Sequence, residues 1–156
     1  MVELERAYRA EFARFVRVAT AIAGDEQSGA DAVHDAFVQA VRNRHSFRGE
    51  GPLEAWLWRL VVNEARDTAR PFEPPLDELL ERGEARTNGG LDAHDELRVA
   101  VALLPERQRL VLFLRYYADL DYAAIADALE IAPGTVAATL NAAHATLHRT
   151  LQEVAR

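Results

Sequence analysis

Four polar side chains recur along one predicted helix at steps that place them on a single face. They are Arg59, Asn63, Arg66 and Arg70. Guanidinium groups can neutralise the phosphates of a displaced DNA strand, and an amide can read the edge of a base. The alternative is a solvated face with local ion pairs, such as Asp67 with Arg70. Arg48 in the preceding loop adds positive charge to the same region, so we favour nucleic-acid contact.

Two tryptophans, Trp56 and Trp58, lie two residues apart in the same helix and therefore point in different directions. The apolar periodicity predicts that Trp56 is the buried one. Trp58 is then free to stack on an unpaired base, a contact that contributes about 1–3 kcal/mol per base. Packing of Trp58 against the first helix is the alternative, and the two interpretations have equal weight.

The stretch from Leu104 to Leu151 has the layout of a helix-turn-helix DNA reader but almost none of its charge. The positions of the last helix where cations would be expected carry Ala137, Ala138, Thr139, Asn141, Ala142, Ala143 and Thr146. The first cation after Gly134 is Arg149, apart from any charge on His144 and His148. Cations that neutralise phosphates supply much of a protein's affinity for DNA. The layout therefore indicates a DNA reader, whereas the charge does not.

His144 and His148 are four residues apart and could face one metal ion, but no acid lies between them and no third ligand is evident. We favour an ordinary surface pair. The sequence contains no cysteine, no glycine-rich phosphate loop and no plausible Ser/His/Asp order. We therefore expect no catalytic residue, no metal site, no cofactor and no enzyme activity.

Composition indicates a chain of one ordinary domain or two small ones, since 49% of its 156 residues are apolar. The net charge of -7 is concentrated in residues 71–96, which hold eight acids against two arginines. No apolar run approaches the length of a membrane span, and the N-terminus is typical of an amphipathic helix, not of a signal peptide. We expect a cytoplasmic protein without membrane insertion.

Helical periodicity and helix breakers predict an all-α chain. In the first half, helices are expected over residues 3–23, ended by Gly24, over 28–44, and from Pro52 to Arg70. An acidic linker is expected over residues 71–94, with a packed connector as the lesser alternative. In the second half, helices are expected over 95–103, after Pro105, over 122–129 with Asp121 as the N-cap, and after Gly134. The domains would then span residues 1–70 and 95–156.

Several segments, taken in order, resemble the small sigma factors of bacterial RNA polymerase, the extracytoplasmic-function group of the sigma-70 family. Residues 30–40 resemble the polymerase-docking helix. Phe47-Arg48-Gly49-Glu50, Trp56-Leu57-Trp58-Arg59-Leu60 and Asn63-x-x-x-Asp67-x-x-Arg70 resemble the promoter-melting segment. Leu104-Pro105-Glu106-Arg107-Gln108-Arg109 resembles the opening of the upstream-element domain. Tyr122-Ala123-Ala124-Ile125-Ala126 and Gly134-Thr135-Val136 resemble its helix-turn-helix.

The resemblance implies a region 2-like domain, a region 4-like domain, and three partners: core RNA polymerase, promoter DNA and an anti-sigma factor. Polymerase docking would involve Asp31, Asp35 and Phe37, although Phe37 by itself is better explained as a core residue. Promoter melting would involve Arg48, Trp58, Arg59, Asn63, Arg66 and Arg70. Contacts with the upstream element would involve Arg107, Arg109, Thr135, Asn141 and His144.

The chain departs from the family pattern at three places. Glu130 stands near the end of the first helix of the motif, where the family has glycine or a similar residue, and it lacks the ease of glycine at positive φ. His34 and Gln39 replace the more usual Gln and Arg of the docking helix. The basic residues of the recognition helix are missing, so the family's contacts there do not transfer to Ala137, Thr139 or Ala143.

We therefore interpret the chain as a sigma factor that directs core RNA polymerase to specific promoters. One alternative keeps the fold but makes the chain a sigma-like regulator or adaptor, whose C-terminal domain binds protein instead of DNA. A second alternative is a dimeric helix-turn-helix repressor that does not bind polymerase, but it assigns no function to residues 28–70.

Overall fold

The computed structural model describes residues 1–69 and 93–154, and these residues form seven α-helices without a strand. The first three, α1 to α3, make an N-terminal unit: Val2–Ala23, Glu26–Arg42 and Leu53–Thr68, with a 3₁₀ turn at Arg44–Ser46. The last four, α4 to α7, make a C-terminal unit: Ala93–Ala102, Glu106–Tyr116, Tyr122–Leu129 and Pro133–Val154. The expected all-α fold is confirmed, whereas most of the proposed linker lies outside the described residues.

A few capping and helix-breaking residues determine where the helices begin and end. Gly24 ends α1 in the left-handed conformation, with φ of 101°, as its lack of a Cβ allows. Asp25 then caps α2 by accepting a 2.8 Å hydrogen bond from the Ser28 backbone N–H. Because Asp25 supplies this cap, α2 begins at Glu26. The helix ends at Arg42, so both ends lie two residues earlier than predicted.

The three helices of the N-terminal unit pack on one another around an aromatic cluster. Phe15 of α1 lies between Phe37 of α2, at a ring-centroid distance of 5.5 Å, and Trp58 of α3, at 4.4 Å. Tyr8 adds an edge-to-face contact with Phe37 at 4.9 Å. Aromatic pairs of this kind bury apolar surface and also prefer particular ring orientations. They therefore constrain how the three helices cross.

In the C-terminal unit, α6 and α7 form the predicted helix-turn-helix and pack on each other, while α7 also packs on α4 and α5. Asp121 caps α6 by accepting a 2.8 Å hydrogen bond from the Ala124 N–H, as expected. Glu130 ends α6 with φ 57° and ψ 43°, in the left-handed region. The expected need for positive φ at this position is therefore confirmed, and a side chain with a Cβ occupies it.

The two units are in direct contact. Helix α3 packs on α6, and α1 packs on α5. The buried apolar residues of both units belong to one continuous cluster, which includes Phe15, Trp58, Leu114 and Ile125. As a result, one side of α3 faces the C-terminal unit.

Within the part of the chain that the structure describes, no single helix has both the length and the hydropathy to cross a membrane. One pair, Tyr122–Leu129 with Pro133–Glu153, reaches them only when counted together, and its two helices meet at a bend of 100°.

Candidate polymerase and nucleic-acid interfaces

Helix α2, the predicted docking helix, presents both of its predicted aspartates to solvent. Asp31 is exposed and accepts a 3.0 Å hydrogen bond from the Gln27 side chain, one turn earlier. Asp35 is also exposed. Phe37 is only 8% exposed and packs against Tyr8 and Phe15, so it belongs to the core, as expected from the residue alone.

A negative patch extends from α2 onto α3. Glu64 of α3 lies near Asp35 and Asp67, and it accepts a hydrogen bond from the Gln39 side chain. Burial raises the pKa of the Glu64 carboxyl above its usual value, and the charges of Asp35 and Asp67 raise it further, while the Gln39 bond lowers it. The predicted docking aspartates thus belong to a face where negative charges repel one another.

The predicted melting stripe on α3 faces the C-terminal unit in part. Arg59 donates from Nε and Nη2 to the Asp127 backbone oxygen at 3.2 and 3.1 Å, and its Nη1 lies 3.5 Å from Glu130 Oε1. Arg66 donates from Nε to Glu106 Oε1 at 2.7 Å. Asn63 is exposed, and Arg70 lies outside the described residues.

The prediction that Trp56 is the buried tryptophan is wrong, whereas the alternative that Trp58 packs against the first helix is confirmed. Trp58 is fully buried and packs on Phe15 with the two rings tilted by 50°, and its Nε1 lies 3.4 Å from Glu54 Oε1. Trp56 is only half-buried and packs against Phe47, at a centroid distance of 5.3 Å. The reason is that α3 packs on α1 and α2 and also on α6, so its buried face is wider than that of a helix packed on one side. In this arrangement Trp56, not Trp58, is the aromatic available to a base.

Trp56 also lines a polar cavity of about 330 Å³ beside the loop that precedes α3. Arg48, Arg59 and, from the C-terminal unit, Asp127 line the same cavity. Arg48 is exposed, as a phosphate-binding residue must be. The cavity therefore combines an aromatic face and two cations with two carboxylates, Glu50 from the loop before α3 and Asp127 from the opposite unit.

The outward face of the last helix, α7, is small and almost uncharged. Its exposed positions include Ala138, Asn141, Ala142, Ala145 and Arg149. Ala143 is fully buried, so the expectation of a cation at this position is wrong. The burial of Ala143 follows from its place in the apolar row with Val136 and Leu140.

The side chains expected to contact the upstream element differ in their exposure and in their hydrogen bonds. Arg107 is exposed, whereas Arg109 donates from Nη1 to the carbonyl oxygens of Ala102 and Leu104 at 3.1 and 2.6 Å. Arg109 thus satisfies carbonyls at the end of α4, which is a structural role. Thr135 accepts a 2.7 Å hydrogen bond from Thr139 through its backbone oxygen.

Two further polar residues of α7 face solvent. Asn141 and His144 are exposed, and His144 Nε2 lies 2.8 Å from the Tyr116 hydroxyl. His148 lies 3.1 Å from the Gln152 amide. The two histidines therefore have separate neighbours, and among the described residues no group of three or more His, Asp or Glu could hold a metal ion.

Sequence reasoning did not identify Arg14, Glu106 and Glu130 as residues of the contact between the units. Arg14 of α1 donates to the backbone oxygen of Ala118 and pairs with Glu11 and Glu54. The contacts that Arg14, Arg59 and Arg66 make with the C-terminal unit join residues 40 to 104 positions apart, so helical periodicity carries no signal for them. Of Arg14, Glu106 and Glu130, the sequence drew attention only to Glu130, because it stands where the family has glycine.

Comparison with known families gives matches to both halves of the chain. The family model described as Sigma-70 region 2 matches residues 7–71, and the one described as Sigma-70, region 4 matches residues 94–153. The chain is 29% identical over 149 residues to the RNA polymerase sigma-H factor of Pseudomonas aeruginosa, covering 85% of this chain and 77% of the relative. It is also 29% identical over 143 residues to the ECF RNA polymerase sigma-E factor of Escherichia coli, covering 81% and 75%.

Two solved structures share the fold. One is CnrH in complex with the cytosolic domain of CnrY, with a TM-score of 0.72 and 20% identity over 96% of this chain and 88% of that one. The other is the sigma factor RpoE in complex with the anti-sigma factor NepR from Bartonella quintana, with a TM-score of 0.68 and 18% identity over 97% and 98%.

The two matched regions define the class: a two-region transcription initiation factor. The chain belongs to the sigma-70 family of RNA polymerase sigma factors, in the extracytoplasmic-function (ECF) group for which its Escherichia coli relative is named.

Proposed function

We propose that this chain directs core RNA polymerase to specific promoters and initiates transcription there. The observation that carries the proposal is the match of both sigma-70 regions, in chain order, to residues 7–71 and 94–153. The N-terminal unit would dock on polymerase and melt the promoter, and the C-terminal unit would bind the upstream element. The chain would contribute binding and no catalytic residue, and it would act in the cytoplasm.

Docking would use the acidic face of α2. Asp31 and Asp35 are exposed there, and Glu64 extends the negative charge onto α3. Such a face is complementary to a basic surface on polymerase, which would steer and orient the encounter. Phe37 would hold α2 in position by packing in the core beneath this acidic face.

Melting would use the loop before α3 and the polar stripe of that helix. Arg48 and Asn63 are exposed, and the cavity beside Trp56 could receive an unpaired base. Arg59 and Arg66 would hold strand phosphates once they leave their present partners. Trp58 would contribute indirectly, by holding α3 against Phe15.

Binding of the upstream element would rely on few charges. Arg107, Asn141 and His144 are exposed and could contact phosphates or base edges, while Thr135 lies at the start of α7, where backbone N–H groups favour phosphate. The C-terminal unit would then read DNA through shape and backbone contacts more than through charged side chains.

Run-off transcription tests the proposal directly. The purified chain would be combined with a bacterial core polymerase, on template DNA from upstream of its own gene. Promoter-specific transcripts are expected. The double variant Asp31→Asn/Asp35→Asn should lower the affinity for core, whereas Glu26→Gln, also exposed on α2, should not. Absence of binding to core would overturn the proposal.

A second function has one observation in its favour. The exposed alanines of α7 suit close packing of a partner helix better than phosphate contact, because a helix without long side chains can be approached closely. In this alternative the chain is a sigma-like regulator or adaptor that docks on core and binds protein through its C-terminal unit. Stable core binding without any transcript would favour it.

A further inference from the structure

Tyr116, the last residue of α5, makes a hydrogen bond with α7 on the outer surface of the C-terminal unit. Its hydroxyl lies 2.8 Å from His144 Nε2, and the two ring centroids are 5.9 Å apart with the ring planes tilted by 52°. Tyr116 is nevertheless 61% exposed. The hydrogen bond therefore restrains an aromatic side chain that faces solvent. Such a tyrosine suits binding, because little conformational entropy remains to be lost when a partner arrives.

His144 lies on the flank of α7, between its buried row and its outward row. The buried row consists of Val136, Leu140 and Ala143, and the outward row consists of Ala138, Ala142 and Ala145. Since successive residues of a helix turn by about 100°, His144 projects beside these outward alanines, and Tyr116 stands next to it. Tyr116 therefore borders the face that the helix-turn-helix layout would present to DNA.

The alanines of the outward row decide how closely α7 can approach DNA. Alanine has no side chain beyond Cβ, so α7 along this row is slimmer than the about 10–12 Å of a helix with ordinary side chains. The major groove of DNA is about 12 Å wide and about 8.5 Å deep. A slim helix can therefore enter the groove further before it touches the bases. The phosphates at the groove edge then come closer to residues that stand beside the helix, and Tyr116 is one of them.

The Tyr116 hydroxyl supplies a hydrogen-bond donor where α7 has almost no charge. Residues 134–154 include a single arginine, Arg149. A tyrosine hydroxyl can accept one hydrogen bond and donate another, so it can accept from His144 Nε2–H while it donates to a phosphate oxygen. Tyrosine is among the side chains that hydrogen-bond DNA phosphates. Because the hydroxyl is neutral, this contact adds affinity without the steep salt dependence that a cation brings.

We infer that Tyr116 is a further DNA-binding residue of the C-terminal unit. Its hydroxyl binds a phosphate at the edge of the groove that α7 enters, and His144 holds the hydroxyl in position. This inference rests on the proposed function, because it adds one contact to the same upstream-element surface. Contacts beside α7 then supply part of the affinity that the alanines of its outward row do not.

Binding of a fluorescent promoter duplex by the full chain in complex with core polymerase tests this role. Tyr116→Phe keeps the ring and removes only the hydroxyl. Tyr117→Phe is the matched control, since it removes a hydroxyl from the adjacent exposed tyrosine, whose ring stacks on Phe113. We expect Tyr116→Phe to weaken promoter binding roughly two- to tenfold, the effect of one hydrogen bond. Tyr117→Phe should leave promoter binding unchanged.

Two further readouts distinguish a contact through the hydroxyl from other causes. The salt dependence of binding should be the same in Tyr116→Phe as in the original chain, whereas loss of a cation would make it shallower by about 0.9. His144→Ala should weaken binding, and Tyr116→Phe should then cost little more, because the hydroxyl has already lost the group that positions it. Original promoter affinity in Tyr116→Phe, an equal loss in Tyr117→Phe, or a shallower salt dependence would overturn the inference.

Run-off transcription by the unmodified chain distinguishes failure of this inference from failure of the proposed function. Transcripts from the original chain, together with unchanged promoter affinity in Tyr116→Phe, would leave the proposed function in place and remove the contact. If the original chain gave neither transcripts nor promoter binding, the proposed function would be removed and the contact with it.

Discussion

Gly29 of α2 lies so close to Thr20 of α1 that a Cβ on Gly29 would stand 2.6 Å from both the Cα and the backbone nitrogen of Thr20. Real Cβ atoms do not approach backbone this closely, so the two helices can cross here only because residue 29 is glycine. The crossing sets how α1 and α2 pack, and with it the position of the face of α2 that we propose for docking.

Substitution Gly29→Ala should therefore destabilise the fold, in spite of the better helix propensity of alanine. Overpacking of this kind costs about 1–3 kcal/mol, more than the ~1 kcal/mol that alanine gains in a helix. Urea unfolding followed by circular dichroism measures the change. Gly134→Ala is the matched control, since nothing lies within 4 Å of a Cβ at that position, and it should leave stability equal or slightly higher.

Substitution Glu130→Gly should stabilise the fold, because it removes a side chain from the left-handed turn after α6. Removal of this backbone strain should raise the free energy of unfolding by about 1–2 kcal/mol. Loss of the exposed ion pair with Arg59 should offset less than about 1 kcal/mol of that gain. Asp119→Gly, at the other described non-glycine residue with positive φ, should gain less because aspartate tolerates this region better. A Glu130→Gly protein less stable than the original would show that the Arg59 pair outweighs the strain.

The two tryptophans should differ clearly in fluorescence. In Trp56→Phe the remaining Trp58 should emit at shorter wavelength and resist acrylamide, since it is fully buried against Phe15. In Trp58→Phe the half-buried Trp56 should be quenched more readily. Trp58→Ala should cost about 3–5 kcal/mol of unfolding free energy, with Trp56→Ala well below it. Equal quenching in the two Phe variants would contradict the burial of Trp58.

Much of the fold could be predicted from local sequence, because local chemistry decides where helices begin and end. Gly24 and Asp121 each mark a boundary that the structure confirms. The family resemblance likewise gave the order of the two regions. The helix from Glu26 shows the limit of such reasoning, since Asp25 takes the cap that the pattern alone did not assign.

The contact between the units could not be predicted from the sequence. Helical periodicity reports one apolar stripe per helix, whereas α3 packs on α1, α2 and α6. Its buried face is therefore wider than one stripe, and it includes Trp58, which packs on Phe15 of α1. The polar stripe itself was useful, because Arg59 and Arg66 do lie on one side of α3, but only the structure shows that the C-terminal unit contacts them.

Substitution Glu64→Gln should stabilise the fold near neutral pH and have no such effect in acid. The raised pKa means that the charged carboxylate is less favourable in the folded chain than in the unfolded one. The cost of that charge is present above the folded-state pKa, shrinks as the pH falls, and disappears below the ordinary value of 4.5, where the group is protonated in both states. Since Glu64 is partly exposed, the gain should stay below about 1 kcal/mol.

Urea midpoints across this pH range measure the effect of Glu64→Gln. Glu153→Gln, at an exposed position near the end of α7, serves as the control and should show no pH-dependent difference from the original chain. A gain from Glu64→Gln that persisted in acid would point to packing of the amide instead of relief of charge.

Substitutions on the exposed face of α7 give the clearest test between a promoter reader and a regulator that binds protein. Ala138→Arg and Ala142→Arg place cations at exposed positions of the recognition helix, where each could reach a phosphate. If the chain is a promoter reader, the double variant should bind its promoter in the polymerase complex about tenfold or more tightly, with a salt dependence steeper by about 0.9 per new contact. Ala143→Arg is not equivalent, because Ala143 is fully buried and a charge there should unfold the unit. Footprinting of the complex over a range of salt concentrations gives both quantities. Unchanged promoter affinity in a folded double variant would instead favour a C-terminal unit that binds protein, since added cations have nothing to contact where no DNA lies.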